Sequence, residues 1–492
     1  MIKRLYVLRL TALVQMGLAG LMLFPGALAF WEGRPDLGWN LLLSACLALV
    51  RGGGFLFLTR RERRRVISSR DSFLFVTATW VLASFFGALP FWLSEYFADF
   101  ASAYFEAMSG FTTTGATAAA NVDGLPMSFL LWRALSHWLG GMGIVVMLVA
   151  LLPLLGSGGA LLVNAEASGP TVDKLTPRIA DNARMLWFIY IGLTVLLIGL
   201  LWAMGLPFFE ALCIGFSAIS SGGFSTRSQG IDAYGSPGIE ILLIVFMFLA
   251  GVNFSLFHKI LKGKPGALFK DEEFRVYLFI VLAAGLLVAG DLFLNSPLAP
   301  DLPPLKRAGE LWRKAGFQTV SILTSTGLSA ADHELWPALS RAVIFLLMFC
   351  GGCSGSTSGG IKILRLTTMV KLAVNNIRYM IYPRGVFRLK INKTEVPKDV
   401  VYSIAGFFAL YVFSVLILTL VTAAFGFDLT TSLSAALASL GNVGLGLGGI
   451  APSGSWTLFP APLKLILSFG MLAGRLELFT VFALFTPSFW KK

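Results

Sequence analysis

Four short stretches set glycines and hydroxyl or amide residues among long apolar runs. They read SAYFEAMSGFTTTGAT (102–117), EALCIGFSAISSGGFST (210–226), KAGFQTVSILTSTGLSA (314–330) and SLSAALASLGNVGLGLG (432–448). None has an acidic side chain at its anchoring glycine, so the chemistry open to them is that of the main chain. Glycine takes positive φ without a steric cost, which lets successive carbonyl oxygens point the same way. Rings of such oxygens replace the hydration shell of an alkali cation. Divalent cations need carboxylates, so a neutral ring suits a monovalent ion. The candidate ion-binding residues are Thr113, Thr114 and Gly115; Ser221, Gly222 and Gly223; Ser325, Thr326 and Gly327; and Asn442, Val443 and Gly444. The competing reading is that these glycines only let helices pack closely. Four copies at matched places weigh against it.

Aligned on Gly115, Gly223, Gly327 and Gly444, the copies recur roughly every 110 residues, and an internal repeat of this kind decides the architecture. In each, about ten apolar or small residues precede the glycine, and Ala116, Phe224, Leu328 or Leu445 follows it. Each unit therefore reads as a spanning helix, a half-helix, a glycine loop and a second spanning helix. Irregular backbone at membrane depth needs protein or water around it, which places the loops beside a pore. Half-helices entering from outside aim their carbonyl ends at mid-membrane, where the partial negative charge favours a cation. In the Gly222-Gly223 doublet the register is open by one residue. The expected fold is an all-α polytopic membrane protein with four M1–P–M2 repeats around one pore. The divisions are 1–58 (two extra N-terminal helices), 59–160, 161–262, 263–385 and 386–492.

Composition supports that class. The chain of 492 residues is 56% hydrophobic and only 13% charged, against about 25% charged in soluble domains. Crossings are expected over 8–30, 39–58, 72–93, 128–152, 184–205, 238–257, 274–294, 338–380 (interrupted), 398–426 and 462–485. The net charge of +13 sits in the connections: RRERRR at 60–65; Lys174 and Arg178; Lys259, Lys262 and Lys264; Arg384, Arg388, Lys390 and Lys393; Lys491 and Lys492. All fall on one side, the positive-inside pattern, so the basic excess marks a bilayer and not nucleic acid, and both termini are expected in the cytoplasm. Lys3, Arg4 and Arg9 ahead of a run ending Ala27-Leu28-Ala29 have the form of a cleavable signal peptide. The run from Leu10 to Phe30 is also long enough to span. Cys350 and Cys353 form a lone CxxC without the second pair that a zinc site needs.

Two features interrupt the spanning helices. FCGGCSGSTSGGIK (349–362) breaks the third unit only, with Gly351, Gly352, Gly355, Gly359, Gly360, Ser354, Ser356, Thr357 and Ser358 making a polar flexible segment. Ile361 stands where a phosphate-binding Walker loop requires lysine. Serving one unit of four, the segment reads as a movable plug beneath the loops; the alternative is an ordinary break lining a cavity. Arg475, in the last crossing, costs about 2.5–3.5 kcal/mol at mid-membrane. It therefore faces the pathway as an electrostatic barrier or locks helices through an acid. Glu477, two residues on, is expected to face elsewhere. His137, His258 and His333 lack metal spacing and read as structural. Asp123, Asp232 and Asp332 follow three of the loops and either raise cation concentration at the outer mouth or are solvated.

With these features together, the chain resembles the Trk/Ktr/HKT superfamily of cation transporters, most closely its Trk-type potassium-uptake subunits. YFEAMSGFTTTGAT, HWLGGMGI (137–144), KLTPRIADNARMLWFIY (174–190) and GRLELFT (474–480) carry the resemblance. It implies a selectivity filter at Gly115, Gly223, Gly327 and Gly444 binding K+. Gly115 fits potassium, where serine goes with sodium in this family. It also implies a gating intramembrane loop at 351–360 with Arg475, a homodimer, and a separate cytosolic nucleotide-binding RCK-type regulator. No cofactor is expected in the chain itself. A sodium-permeable or ion-coupled secondary transporter remains the competing class, although such folds use two repeats with ionisable residues at the site. A membrane enzyme would need a cluster of His, Asp or Cys near the interface, and none is visible.

Overall fold

In a computed structural model, residues 4–60, 68–143, 179–296 and 302–491 are described. Helices α1 (Arg4–Trp31) and α2 (Pro35–Leu58) form a hairpin. The first quarter follows with α3 (Ser69–Trp92), α4 (Phe100–Phe111) and α5 (Met127–Gly141). The second has α6 (Ile179–Ala203), α7 (Phe208–Ile219), α8 (Pro237–Ala250) and α9 (Phe254–Leu261). The third has α10 (Glu272–Asn295), α11 (Pro304–Leu323), α12 (Ala338–Leu347) and α13 (Ile363–Ile381). The fourth has α14 (Lys398–Ala424), α15 (Leu429–Leu440), α16 (Ala461–Arg475) and α17 (Phe479–Phe482). The chain is an all-α polytopic membrane protein.

Among the described residues, six helices are long and apolar enough to cross a bilayer, and two bent pairs raise the number to eight. Of the other two expected crossings, the one over 128–152 is described only as far as Gly143. The other is the interrupted one, split into α12 and α13. Lys174, Arg178 and most of the basic run at 60–65 lie outside the described residues.

The sequence reading put a break in the third unit only, and here the structure corrects it. Helices α8 and α9 meet at 95°, and α16 turns by 112° into Phe479–Phe485. Local chemistry causes both bends. After Gly251, Asn253 leaves helical geometry and its side chain caps α9 by accepting from Ser255 N at 2.9 Å. After α16, Glu477 and Leu478 both take positive φ (55° and 60°), which L-residues tolerate only singly and at a cost. Helix α5 also stops at a glycine cluster, with Gly143 at φ 67°.

The short helices α4, α7, α11 and α15 all end at the protein's centre. Asp99 caps α4 through Ser102 N (2.6 Å), and Asp428 caps α15 through Thr431 N (3.0 Å). The hydrogen bonds from the Thr431 side chain and amide hold the Asp428 carboxyl below its usual value. Prolines 207 and 303 precede α7 and α11. The N-terminal hairpin braces the first quarter: Glu32 accepts from Met127 N (2.6 Å) and Ser128 N (3.1 Å), capping α5 from outside its own quarter.

Candidate functional site

All four short helices end in one backbone motif. The residue after the C-cap takes left-handed φ: Thr113 (52°), Ser221 (55°), Ser325 (51°) and Asn442 (53°). The next amide then reaches back to the last turn: Thr114 N to Ser109 O (2.8 Å), Gly222 N to Ser217 O (2.9 Å), Thr326 N to Ser321 O (2.8 Å) and Val443 N to Ala438 O (2.9 Å). This is the Schellman closure of a helix C-terminus, usually made with glycine at the left-handed residue. Using threonine, serine and asparagine there costs roughly 1–2 kcal/mol per site. It places a hydroxyl or amide at the foot of every turn.

The glycines come next and again take positive φ: Gly115 (83°), Gly223 (87°), Gly327 (72°) and Gly444 (75°). Their spacing is cyclic. A Cβ built on Gly115 would fall within 3.0 Å of Gly222 O, one on Gly223 of Thr326 O, one on Gly327 of Val443 O, and one on Gly444 of Thr114 O. Each glycine thus leaves room for the carbonyl of the next turn, and the four turns close a ring about one centre. The register of the second turn follows: Ser221 is its foot, Gly222 its middle and Gly223 its ring glycine. The ring borders a cavity on its outer side, lined also by Arg133, Arg227 and Trp456.

The segment 349–362 lies against the foot of this ring. It folds back on itself, Gly351 N donating to Ile361 O (2.8 Å). Thr357 Oγ1 shares a hydrogen bond with Ser221 Oγ (2.8 Å) and reaches Ile219 O (3.1 Å) and Ala250 O (3.3 Å). Gly359 N donates to Ser325 Oγ (2.5 Å), and a Cβ on Gly359 would collide with Gly441 O and Asn442. Gly352 and Gly355 abut Gly251 and Asn253, so bulk is excluded there too. Ser354 N donates to Glu273 Oε1 (2.6 Å); Ser356 and Ser358 keep buried hydroxyls, and Gly360 takes φ 64°. Arg475 spans from this segment to the first quarter, donating to Thr357 O (2.9 Å), Gly140 O (2.7 Å) and Gly141 O (3.0 Å). Glu477 takes a different partner, Arg365 of α13.

Some site residues escaped the sequence reading. Glu273 accepts from both Ser354 N and Leu364 N (3.0 Å), so one carboxylate joins the segment to the first turn of α13. The buried Lys362 donates to Ser358 O within it. The Cα of Gly222 rests on the His137 ring, which stacks on Phe224 at 4.0 Å between centroids. No pattern in the sequence joins Glu273 to a loop some 80 residues away. Asp123, Asp232 and Asp332 make loop contacts, to Ser228 N, Lys314 and Glu334 N. Among the described residues no cluster of His, Cys, Asp or Glu could hold a metal ion, and the four cysteines are free thiols.

A family model described as TrkH, cation transport protein, matches residues 42–492. The chain belongs to the TrkH cation transport family. It is thereby a cation transport protein. The Trk system potassium uptake protein TrkH of Salmonella typhimurium is 34% identical over 487 residues, covering 98% of this chain and 99% of that protein. That of Halomonas elongata is 38% identical over 457 residues, covering 92% and 93%. The crystal structure of the potassium transporter TrkH from Vibrio parahaemolyticus superposes with a TM-score of 0.88 at 32% identity, covering all of both chains. TrkH-family membership agrees with the all-α membrane architecture expected from the sequence.

Proposed function

We propose that this chain is the membrane subunit of a Trk-type potassium uptake system. Potassium passes the ring formed by Thr113–Gly115, Ser221–Gly223, Ser325–Gly327 and Asn442–Gly444, and the segment 351–360 with Arg475 gates it from below. The cyclic closure carries the reading: four glycines, each seated on the carbonyl of the next turn, gather main-chain oxygens of all four turns about one centre, the kind of group that replaces water around an alkali ion. The shut gate is supported by Thr357 and Gly359, whose bonds to Ser221 and Ser325 occupy the feet of two turns.

The membrane is the bacterial inner membrane with both termini cytoplasmic, an orientation that the one-sided basic connections support. Two copies form a homodimer; Val370, Val374 and Ile377 expose an apolar row on α13 that a second copy covers. The cytosolic partner is a separate nucleotide-binding RCK-type regulatory subunit.

Proteoliposomes loaded with potassium, rubidium, sodium or lithium test the reading. Passive flux in the order potassium and rubidium far above sodium and lithium is expected. Flux that saturates and moves protons or sodium in fixed ratio would instead establish a coupled transporter.

A further inference from the structure

The ring is closed inside by glycines, but three of its turns are also tied outside, two residues beyond the glycine. Ser225 O accepts from Arg133 Nη1 at 3.2 Å. Ser329 O accepts from Ile231 N at 2.8 Å. Gly446 O accepts from His333 Nε2 at 2.8 Å. A carbonyl only accepts, so His333 carries its proton on Nε2 and Nδ1 is left to Gln318 Nε2, 3.0 Å away. Three seams are therefore bonded at one backbone position by a guanidinium, an amide and an imidazole.

The first and third quarters build their ties alike. Glu106 and Gln318 hold the same register on α4 and α11, each the same number of residues ahead of its ring glycine (106 to 115, 318 to 327). Each orients the donor that crosses to the following turn. Glu106 accepts from Arg133 Nε (2.7 Å), Ala118 N (2.6 Å) and Thr117 Oγ1 (3.0 Å). Arg133 Nη2 donates to Thr117 Oγ1 (3.2 Å), and its guanidinium lies 4.1 Å from the Phe224 ring centroid. One side chain thus holds the exits of turns one and two together. Both members of the pair are buried, at 2% and 0% exposure.

A buried ion pair adds little net stability, because desolvation offsets its attraction. Its distinctive property is geometric. The planar guanidinium fork fixes several acceptors at once, which an ammonium does not.

We infer that Arg133 with Glu106, and His333 with Gln318, are positioning residues that set the spacing between neighbouring turns and so the ion preference of the ring. The inference rests on the filter reading proposed above. Bi-ionic potassium/sodium permeability ratios on purified variants test it, with thermal unfolding to check folding. Arg133→Lys keeps the charge but loses the fork; in a variant that still folds and passes potassium, the ratio should fall about tenfold. His333→Phe, which cannot donate, should lower the ratio similarly. His333→Gln, whose amide stands near the place of Nε2, should restore it. Wild-type ratios in both Arg133→Lys and His333→Phe would overturn the inference. If Arg133→Lys does not fold, the His333→Phe and His333→Gln pair decides alone. A wild-type protein that does not discriminate potassium from sodium would instead overturn the filter reading itself.

Discussion

At the scale of single residues, Gly115 is the most constrained position. Its φ of 83° disfavours any side chain, and a Cβ there meets the Gly222 carbonyl. In Gly115→Ser that carbonyl must move, and the ring becomes unequal on one side. Potassium-over-sodium preference should drop about tenfold, the equivalent of about 1.4 kcal/mol. An unchanged bi-ionic reversal potential would refute this. The feet of the turns show the same logic in reverse. Thr113 is β-branched and left-handed, a genuine outlier conformation, yet the structure holds it there: Thr112 Oγ1 bonds Met108 O (2.6 Å) and meets Thr114 Oγ1 at 2.8 Å. Thr324 and Thr326 repeat that pair at 2.8 Å in the third quarter.

At the scale of elements, the segment 351–360 is a strap. Glu273 joins Ser354 within it to Leu364 just beyond it, Thr357 and Gly359 rest on the ring, and Arg475 ties its middle to Gly140 and Gly141. Arg475→Ala removes hydrogen bonds to the carbonyl oxygens of Thr357, Gly140 and Gly141 and, on the proposed reading, a positive charge from the cation's path. Liposome flux of potassium should rise several-fold, and a folded variant with unchanged or lower flux would count against a barrier. Shortening 351–360 by several residues should likewise raise flux, because the strap could no longer reach Ser221 and Ser325 while held at Glu273. Equal flux in that variant would mean that the strap does not obstruct the ring.

At the scale of the whole molecule, the four quarters converge on their turns, and each ring glycine touches a different quarter. An ion bound at that centre joins all four. Ligands that bind only the folded state stabilise it by mass action, by about 2.7 kcal/mol at one hundred times the dissociation constant. The unfolding temperature in detergent should therefore be higher in potassium or rubidium than in sodium or lithium at equal ionic strength. Equal temperatures in all four salts would argue against an ion at the ring.

The amino-acid order alone determined the class and marked the four recurring glycine stretches. Apolar length, one-sided basic connections and four recurring glycine stretches are local signals, and local signals survive in one dimension. Gly115, Gly327 and Gly444 could be placed without coordinates, and Thr357 and Arg475 could be marked as interruptions of apolar helices. Only the tertiary structure settled the second turn, because in Ser221-Gly222-Gly223 either glycine can take positive φ and the choice depends on which one faces Thr326 O. It alone disclosed the bends after Ala250 and Arg475, since left-handed Glu477 and Leu478 violate local preference and are held by Arg365 and the packing around them. The grip of Glu273 and the ties from Arg133 and His333 were hidden for the same reason. Each joins residues distant in the chain, and nothing in a side chain's type records which carbonyl folding will bring to it.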